Sequence, residues 1–543
     1  MTEPRRSLPS RLLGAALVVL PMSWVVLAGN RIPGHPAIDL VGHVWTLWNG
    51  SLGDPTRSEL VAFPYSVDLM PILGGWMDIF LGSVLLRIGV PLALAWNLLC
   101  GGWLLLAGVG VAVLARVAGA RQDAAIVAGV LAQLDAYLLF HLYGGRTEQA
   151  GVGVMALAVA GAIHSWRTGS RVVAVGAGLA GAAVVWTSWE LGVILAAGMV
   201  VLAPGIWRGP RVSGAVRAWL LAAATTAVCA GPLVVSFLQR AAAIRALDES
   251  LPAQSASMAE AVGLLGWLGS SGTRPALGVL ACILLVPFRK KLTRAALVAS
   301  GVVLTGTWLL AAGPSPGWWV PGDLGLTAGL WTLYQHLPVL GWFHSPERVL
   351  VWWTLAAPVS AALVWQSLVT SKGRTVLLVA LLAASGWNLY TSPWARISTW
   401  APPSDPAWAA IRDGDSKGAV LDLPVVHHAP ELVTYQLAQL SHQRPVPFHM
   451  TLPRLTPARP EELVKRLSIA QWLDTPRGGG APSAAAFEAD LETLRRDGYD
   501  WVVLWPSHRT QPPHRVAVRA FREALGPADA RGQAGWRAWR IEP

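Results

Sequence analysis

The sequence predicts a polytopic α-helical membrane protein of about eleven spans with a C-terminal extracytoplasmic α/β domain. Three observations lead there. Hydrophobic residues fill 53% of the chain and charged residues only 13%, with a mean hydropathy of +0.46. Soluble chains carry about a quarter charged residues, so most of this one must have lipid as its solvent. Second, apolar runs near the length that crosses a bilayer, about twenty residues, recur along the first 391 positions. Third, the arginines and lysines between those runs fall on alternate loops, as the positive-inside rule requires.

The first run follows Arg5, Arg6 and Arg11 and ends near Gly29. It is longer than a signal-peptide core and lacks a small-residue cleavage site, so an uncleaved first span with a cytoplasmic N-terminus is expected. A long outer loop follows, from residue 30 to about 71. Residues 72–89 are apolar but hold Gly74, Gly75, Asp78 and Arg87. Read as a segment lying along the outer surface, they leave Arg116 and Arg121 inside; read as a span, they put both outside. The charge rule selects the first. The outer loop thus covers 30–90.

Further runs lie at 92–114, 124–141, 150–166, 172–187, 190–206, 216–237, 274–288, 295–312, 347–369 and 375–391. Taken as spans, they place Arg167 and Arg171, Arg208 to Arg217, Arg289 to Arg294, and Lys372 with Arg374 on the same side as the N-terminal arginines. Residues 1–391 form the membrane part. From 392 to 543, prolines 393, 402, 403 and 406 mark a linker and charges become frequent. Strands are expected at 419–424, 501–505 and 536–541, and helices at 431–443, 487–496 and 516–525, enough for a small outer domain.

The net charge of +11 is scattered in short clusters rather than drawn into a basic stripe, so nucleic acid is not a partner. Many of the 29 tryptophans flank apolar runs, as interfaces favour. Cys100, Cys229 and Cys282 each lie inside a run, without metal spacing. No phosphate-binding loop, zinc-protease motif or dinucleotide glycine loop occurs, which argues against an ATP-driven pump or a zinc protease.

Four outer loops carry the polar residues that need a reason. In Ile38-Asp39-Leu40-Val41-Gly42-His43-Val44-Trp45, Asp39 and His43 share a face if helical, and Trp45 and Trp48 would sit at the headgroup level. The stretch is either an active-site carboxylate or an interfacial helix with a solvated acid. Arg146 and Glu148 at the next mouth are a second candidate site or a helix-capping pair. Glu190 follows Trp186 and Trp189, where a charged helix start in an aromatic belt is the simpler reading. Before the 347–369 run come His344, Pro346, Glu347 and Arg348. Glu347 suits a helix's positive end, while Arg348 is suited to phosphate, of a substrate or of the bilayer. Acids and bases gathered on one side fit transfer chemistry, in which a base deprotonates an acceptor and cations stabilise a leaving phosphate. An acid pair is equally able to hold a divalent metal.

The order of these features resembles the GT-C superfamily of polytopic glycosyltransferases, which includes protein O-mannosyltransferases and aminoarabinose transferases. The resemblance covers the membrane part and is strongest over 11–171. It rests on a first span, a long outer loop with the early acid Asp39, an interfacial segment, a span ending Leu114-Ala115-Arg116, and a second acid, Glu148. Gly341-Trp-Phe-His-Ser-Pro-Glu-Arg348 looks like the FR-x-P-x-R segment of a bacterial branch, and Val420-Leu-Asp-Leu-Pro424, Tyr435 and Arg444-Pro445 look like its outer domain. The resemblance implies inverting transfer of a sugar from a polyprenyl-phosphate carrier to a lipid, glycan or protein acceptor. The place implied is the outer face of a bacterial inner membrane. It makes Asp39 the general base and Glu148 a residue that positions the acceptor or a metal. Arg348 would bind the carrier phosphate with His344 nearby, and His43, Arg146, Glu190 and Glu347 would line the substrate site. No cofactor is implied beyond that metal, to which Asp39 and Glu148 would contribute. Two departures stand out: Asp39 has no adjacent second acid, and the usual Arg-x-Pro reads His344-Ser345-Pro346. The alternative is a non-catalytic lipid or polysaccharide flippase or export component, which would place ionisable groups deep in its spans.

Overall fold

The computed structural model describes residues 8–34, 40–61, 63–64, 66–69, 74–206, 212–248, 348, 350–368, 370–391, 399–401, 405–415, 417–425, 429–447, 460–474, 480–506 and 513–541. The expected runs at 274–288 and 295–312 lie outside them, as do Asp39, His344 and Glu347.

The membrane part is helical: α1 (Leu8–Ala28), α2 (Leu40–Leu52), α3 (Trp76–Arg87), α4 (Leu92–Val117), α5 (Gln122–Gln133), α6 (Ala136–Tyr143), α7 (Val152–Thr168), α8 (Arg171–Thr187), α9 (Trp189–Ile206), α10 (Val212–Asp248), α11 (Val351–Ser367) and α12 (Ser371–Thr391). Among the described residues four helical stretches are long and apolar enough to cross a membrane: Leu92–Val117, Gln122–Tyr143, Thr147–Thr168 and Gly214–Gln239. Shorter apolar helices cover Gly14–Ala28, Arg171–Thr187 and Trp189–Val200. The 124–141 run is one span by length, but Asp135 breaks it. Its carboxylate caps α6 by accepting from the Tyr137 amide at 3.0 Å and from the Thr354 hydroxyl at 2.9 Å. Segment 72–89 contributes α3, a helix of 12 residues and too short to span.

Helix α4 is the axis of the bundle, packed by α1, α5 and α7. It meets α7 backbone to backbone. A Cβ at Gly110 would strike the Gly153 carbonyl, and one at Gly153 would strike Leu106. Such small-residue seams let membrane helices approach when no hydrophobic drive separates lipid from protein. Gln133 fastens α5 by donating to the carbonyls of Leu104 at 3.1 Å and Leu17 at 2.9 Å. The outward faces of α1, α4, α8 and α10 expose Leu27, Val113, Val172 and Val228, as lipid contact demands.

Between α1 and α3 lie the short strands β1 (Ile32–Pro33), β2 (Arg57–Ser58) and β3 (Val67–Asp68). After α12 come β4 (Thr399–Trp400), α13 (Trp408–Arg412), β5 (Ala419–Leu423), α14 (Ala429–His442), α15 (Pro460–Arg466), α16 (Ser468–Asp474), α17 (Ala484–Arg496), β6 (Tyr499–Leu504), α18 (His514–Leu525), β7 (Ala530–Arg531) and β8 (Arg537–Arg540). The sheet runs β5-β6-β8-β7, with β5 parallel to β6 and β8 antiparallel to both its neighbours. Its strands alternate between two cores. Leu421, Leu423, Val502, Leu504 and Trp539 pack with Phe487 and Phe521 of α17 and α18. Val420, Trp501, Val503 and Ala538 face the other way, into a cluster shared with Trp45, Trp48 and Trp76 of the membrane part.

That shared cluster corrects one expectation. Trp45 and Trp48 are buried rather than set among headgroups, and the Trp45 indole donates to Gln439 of α14 at 2.8 Å. Gln439 donates in turn to the Arg444 carbonyl at 3.0 Å. Arg444 spends its guanidinium on the carbonyls of Ile411 at 2.9 Å and Gly414 at 2.8 Å. The Tyr435 hydroxyl donates to Pro424 at 2.9 Å, and the Pro445 carbonyl accepts from Val420 at 2.8 Å. The motif residues of this region therefore hold the unit together. A second seam pairs β1 (Ile32–Pro33) with β4, antiparallel, with Ile32 opposite Trp400.

The glycine seam gives a direct test. Gly153→Ala should lower stability by about 1–3 kcal/mol through overpacking. Gly176→Ala on α8, where nothing lies within 4 Å, should raise it slightly by helix propensity. Thermal unfolding of the two variants in detergent separates the outcomes.

Candidate active site

The end of the bundle at which α2 begins is shaped by a close approach. Gly145 adopts φ +78°, and a Cβ there would overlap the backbone of Leu40, the first residue of α2. The turn Thr147–Ala150 is thereby laid against α2, and His43, one turn into that helix, meets Glu148 with Nε2 3.5 Å from Oε2. Both side chains are largely buried, at 17% and 12% exposure. Gly74 and Gly75 pack against the Glu148 side chain from the third side, and the Gly75 amide donates to the Thr187 carbonyl at 2.9 Å.

Asp78 stands in the first turn of α3, buried beside this pair. Its Oδ1 accepts from the Trp103 indole at 2.5 Å, while Oδ2 and the Glu148 Oε2 are buried oxygens with no hydrogen-bond partner. Burial pushes the Asp78 carboxyl up to about 6, against the pull of Thr147 and Trp103; the Glu148 charge adds to the rise. Sequence reading registered Asp78 only as a charge in an interfacial segment. Its first-turn position on a helix too short to span was the available signal.

Next to Glu148, Gln149 carries the contact onward. Its amide donates to Glu190 at 3.3 Å, and Glu190 is ion-paired with Arg348. The Tyr137 hydroxyl lies 3.4 Å from both the Gln149 Oε1 and the Arg348 carbonyl. Glu190 is therefore more than a charged helix start: it holds a guanidinium from a distant segment. Of the sequence-chosen residues, the structure gathers His43, Glu148, Glu190 and Arg348 into one polar chain. Arg146 is half-buried, two residues from Glu148, with its amide donating to the His141 carbonyl at 2.9 Å. Gln149, Tyr137 and His141 were not singled out, because amides, phenols and imidazoles near span ends carry no distinctive spacing. A metal held by Asp39 and Glu148 would draw on a residue outside the described set. Among the described residues no three His, Cys, Asp or Glu side chains gather around one point.

Comparison with solved structures adds the fold's relatives. Arabinofuranosyltransferase AftD from Mycobacteria superposes with a TM-score of 0.60 at 15% identity, over 99% of this chain and 40% of that one. The chain shares the fold of the GT-C glycosyltransferases. It spans two fifths of the length of AftD. The oligosaccharyltransferase of Archaeoglobus fulgidus, in its apo form, follows at TM-score 0.50 and 13% identity, covering 92% of this chain and 70% of that one. No family model matches the chain, and no curated protein matches it in sequence.

The Asp78 proton has a signed consequence. Its folded pKa lies above the ordinary 3.8, so its contribution favours folding below pH 4 and is lost as pH rises through about 6. Asp78→Asn should therefore be more stable than the native protein at pH 7, by roughly 3 kcal/mol at 1.36 kcal/mol per unit. The gap should close between pH 6 and pH 4, as thermal unfolding across that range would show.

Proposed function

We propose that this protein is an inverting glycosyltransferase that moves a sugar from a polyprenyl-phosphate carrier to an acceptor at the outer face of a cytoplasmic membrane. The observation that carries the reading is the polar chain His43–Glu148, Gln149–Glu190–Arg348. It joins residues from four parts of the sequence at one end of a bundle with a glycosyltransferase fold.

In this reading Asp39 is the base that takes the acceptor hydroxyl proton. Support comes from its chain neighbour Leu40, whose backbone packs against Gly145, three residues before Glu148. Glu148, tied to His43, positions the acceptor. Arg348 neutralises the phosphate that leaves with the carrier, and Glu190 keeps the guanidinium oriented until the phosphate arrives. His344 and Glu347, a few residues before α11 in the sequence, are assigned to the donor side. The bilayer is the third partner, with about eleven spans, the N-terminus inside and residues 392–543 outside as the arrangement that best fits the charge pattern. The sugar and the acceptor are left to experiment. A flippase would use an ionisable group at mid-membrane. Asp135 is the acid near the middle of the described span Gln122–Tyr143, and its carboxylate is taken up in capping α6 and binding Thr354.

Release of polyprenyl phosphate from a panel of polyprenyl-phosphate sugars, with the full chain in nanodiscs, tests the proposal. Asp39→Asn should lower turnover by about 10²–10⁴-fold, the range of general-base catalysis, at unchanged expression. Arg348→Ala should raise KM for the donor about tenfold or more while leaving the acceptor KM near its native value, as loss of a charge-assisted contact predicts. Native turnover in Asp39→Asn, or an effect of Arg348→Ala confined to the acceptor, would reject the assignment.

A further inference from the structure

Resting on that reading, we infer that His141 is a ligand of the donor's phosphate ester, a third member of the anion site formed with Arg146 and Arg348. His141 lies in the last turn of α6 and is fully buried, yet neither ring nitrogen has a hydrogen-bond partner. Buried polar atoms are almost always paired, so an imidazole with both nitrogens idle marks a place where a partner is missing until something binds. The ring is held edge-to-face by Tyr137 at 4.3 Å and Phe140 at 5.1 Å between centroids, so it has little freedom to turn away.

Its surroundings point to an anion. Arg146 lies five residues on, its amide donating to the His141 carbonyl at 2.9 Å, and Arg348 comes up to Tyr137 beside the ring. Glu190 holds Arg348, and Glu148 lies against His43. Tyr137, edge-on to the imidazole, places its hydroxyl against the Arg348 carbonyl. A neutral imidazole offers one N–H donor and one acceptor nitrogen. A glycosyl phosphate satisfies both, because it carries acceptor oxygens on phosphorus and a hydroxyl donor on the sugar. A phospholipid headgroup shares the phosphate-ester chemistry and is the competing source.

The experiment measures binding of farnesyl phosphate to the purified full chain, native, His141→Leu, His141→Gln and Arg348→Ala. Farnesol, inorganic phosphate and phosphatidylglycerol serve as comparison ligands. His141→Leu should weaken farnesyl phosphate at least tenfold, and His141→Gln, which keeps an N–H donor, should weaken it less. Without ligand, His141→Leu should melt no lower than the native protein, because it removes unpaired buried atoms; a histidine with a structural partner would give a clear drop. If the leucine variant does not fold, ¹⁵N-histidine spectra of the native protein carry the test. The resonance missing from His141→Gln must shift with farnesyl phosphate and stay put with farnesol. Unchanged binding in both histidine variants, with Arg348→Ala still defective, overturns the His141 role and leaves the glycosyltransferase reading standing. No farnesyl phosphate binding by the native protein overturns both. Equal competition by phosphatidylglycerol overturns the carrier as the source of the phosphate.

Discussion

A carboxylate taken out of water must find a counter-charge, and in this protein the need is met across a long stretch of chain. Glu190, 5% exposed at the start of α9, pairs with Arg348, 158 residues further on. Taking one partner away from such a buried pair is costly, typically 3–5 kcal/mol, because the survivor is left uncompensated. The pair therefore acts as a clasp that brings the approach to α11 beside α9. Gln149 extends it to the Thr147–Ala150 turn, and Glu148 extends that turn to α2 through His43. The links are largely shielded from water, so they tie the elements at this end of the bundle to one another.

Backbone proximity makes that arrangement reachable. Glycines at 110 and 153 let α4 and α7 touch, and Gly145 lets the turn lie on Leu40. None of these positions carries chemistry, yet a side chain at any of them would separate the elements that do. The site is built from the spaces between helices as much as from their side chains.

Much of the helical layout was legible in the chain because lipid demands long apolar runs, a signal that survives without any relative for comparison. The 419–424 and 501–505 strands were equally visible, since a strand buried on both faces reads as a short, nearly continuous apolar run. The site was readable in part. Glu148, His43, Glu190 and Arg348 stood out as charges at span mouths, but their mutual contacts depend on helix packing, which no local pattern encodes. Asp78 was overlooked because its neighbours in space, Trp103 and Thr147, are 25 and 69 residues away in the chain. Trp45 and Trp48 were misplaced for a related reason: a tryptophan near a span end looks the same whether lipid headgroups or another part of the protein covers it.

The two-sided sheet has a consequence for how such proteins can be rebuilt. Half of its apolar residues complete a core that the outer loop begins, so the polypeptide after α12 is no detachable cap. Exchanging it for a counterpart from another protein of this fold would leave Trp45, Trp48 and Trp76 facing strangers. A functional chimera would have to carry residues 40–80 along with the C-terminal unit, and those two stretches are expected to have changed together during descent.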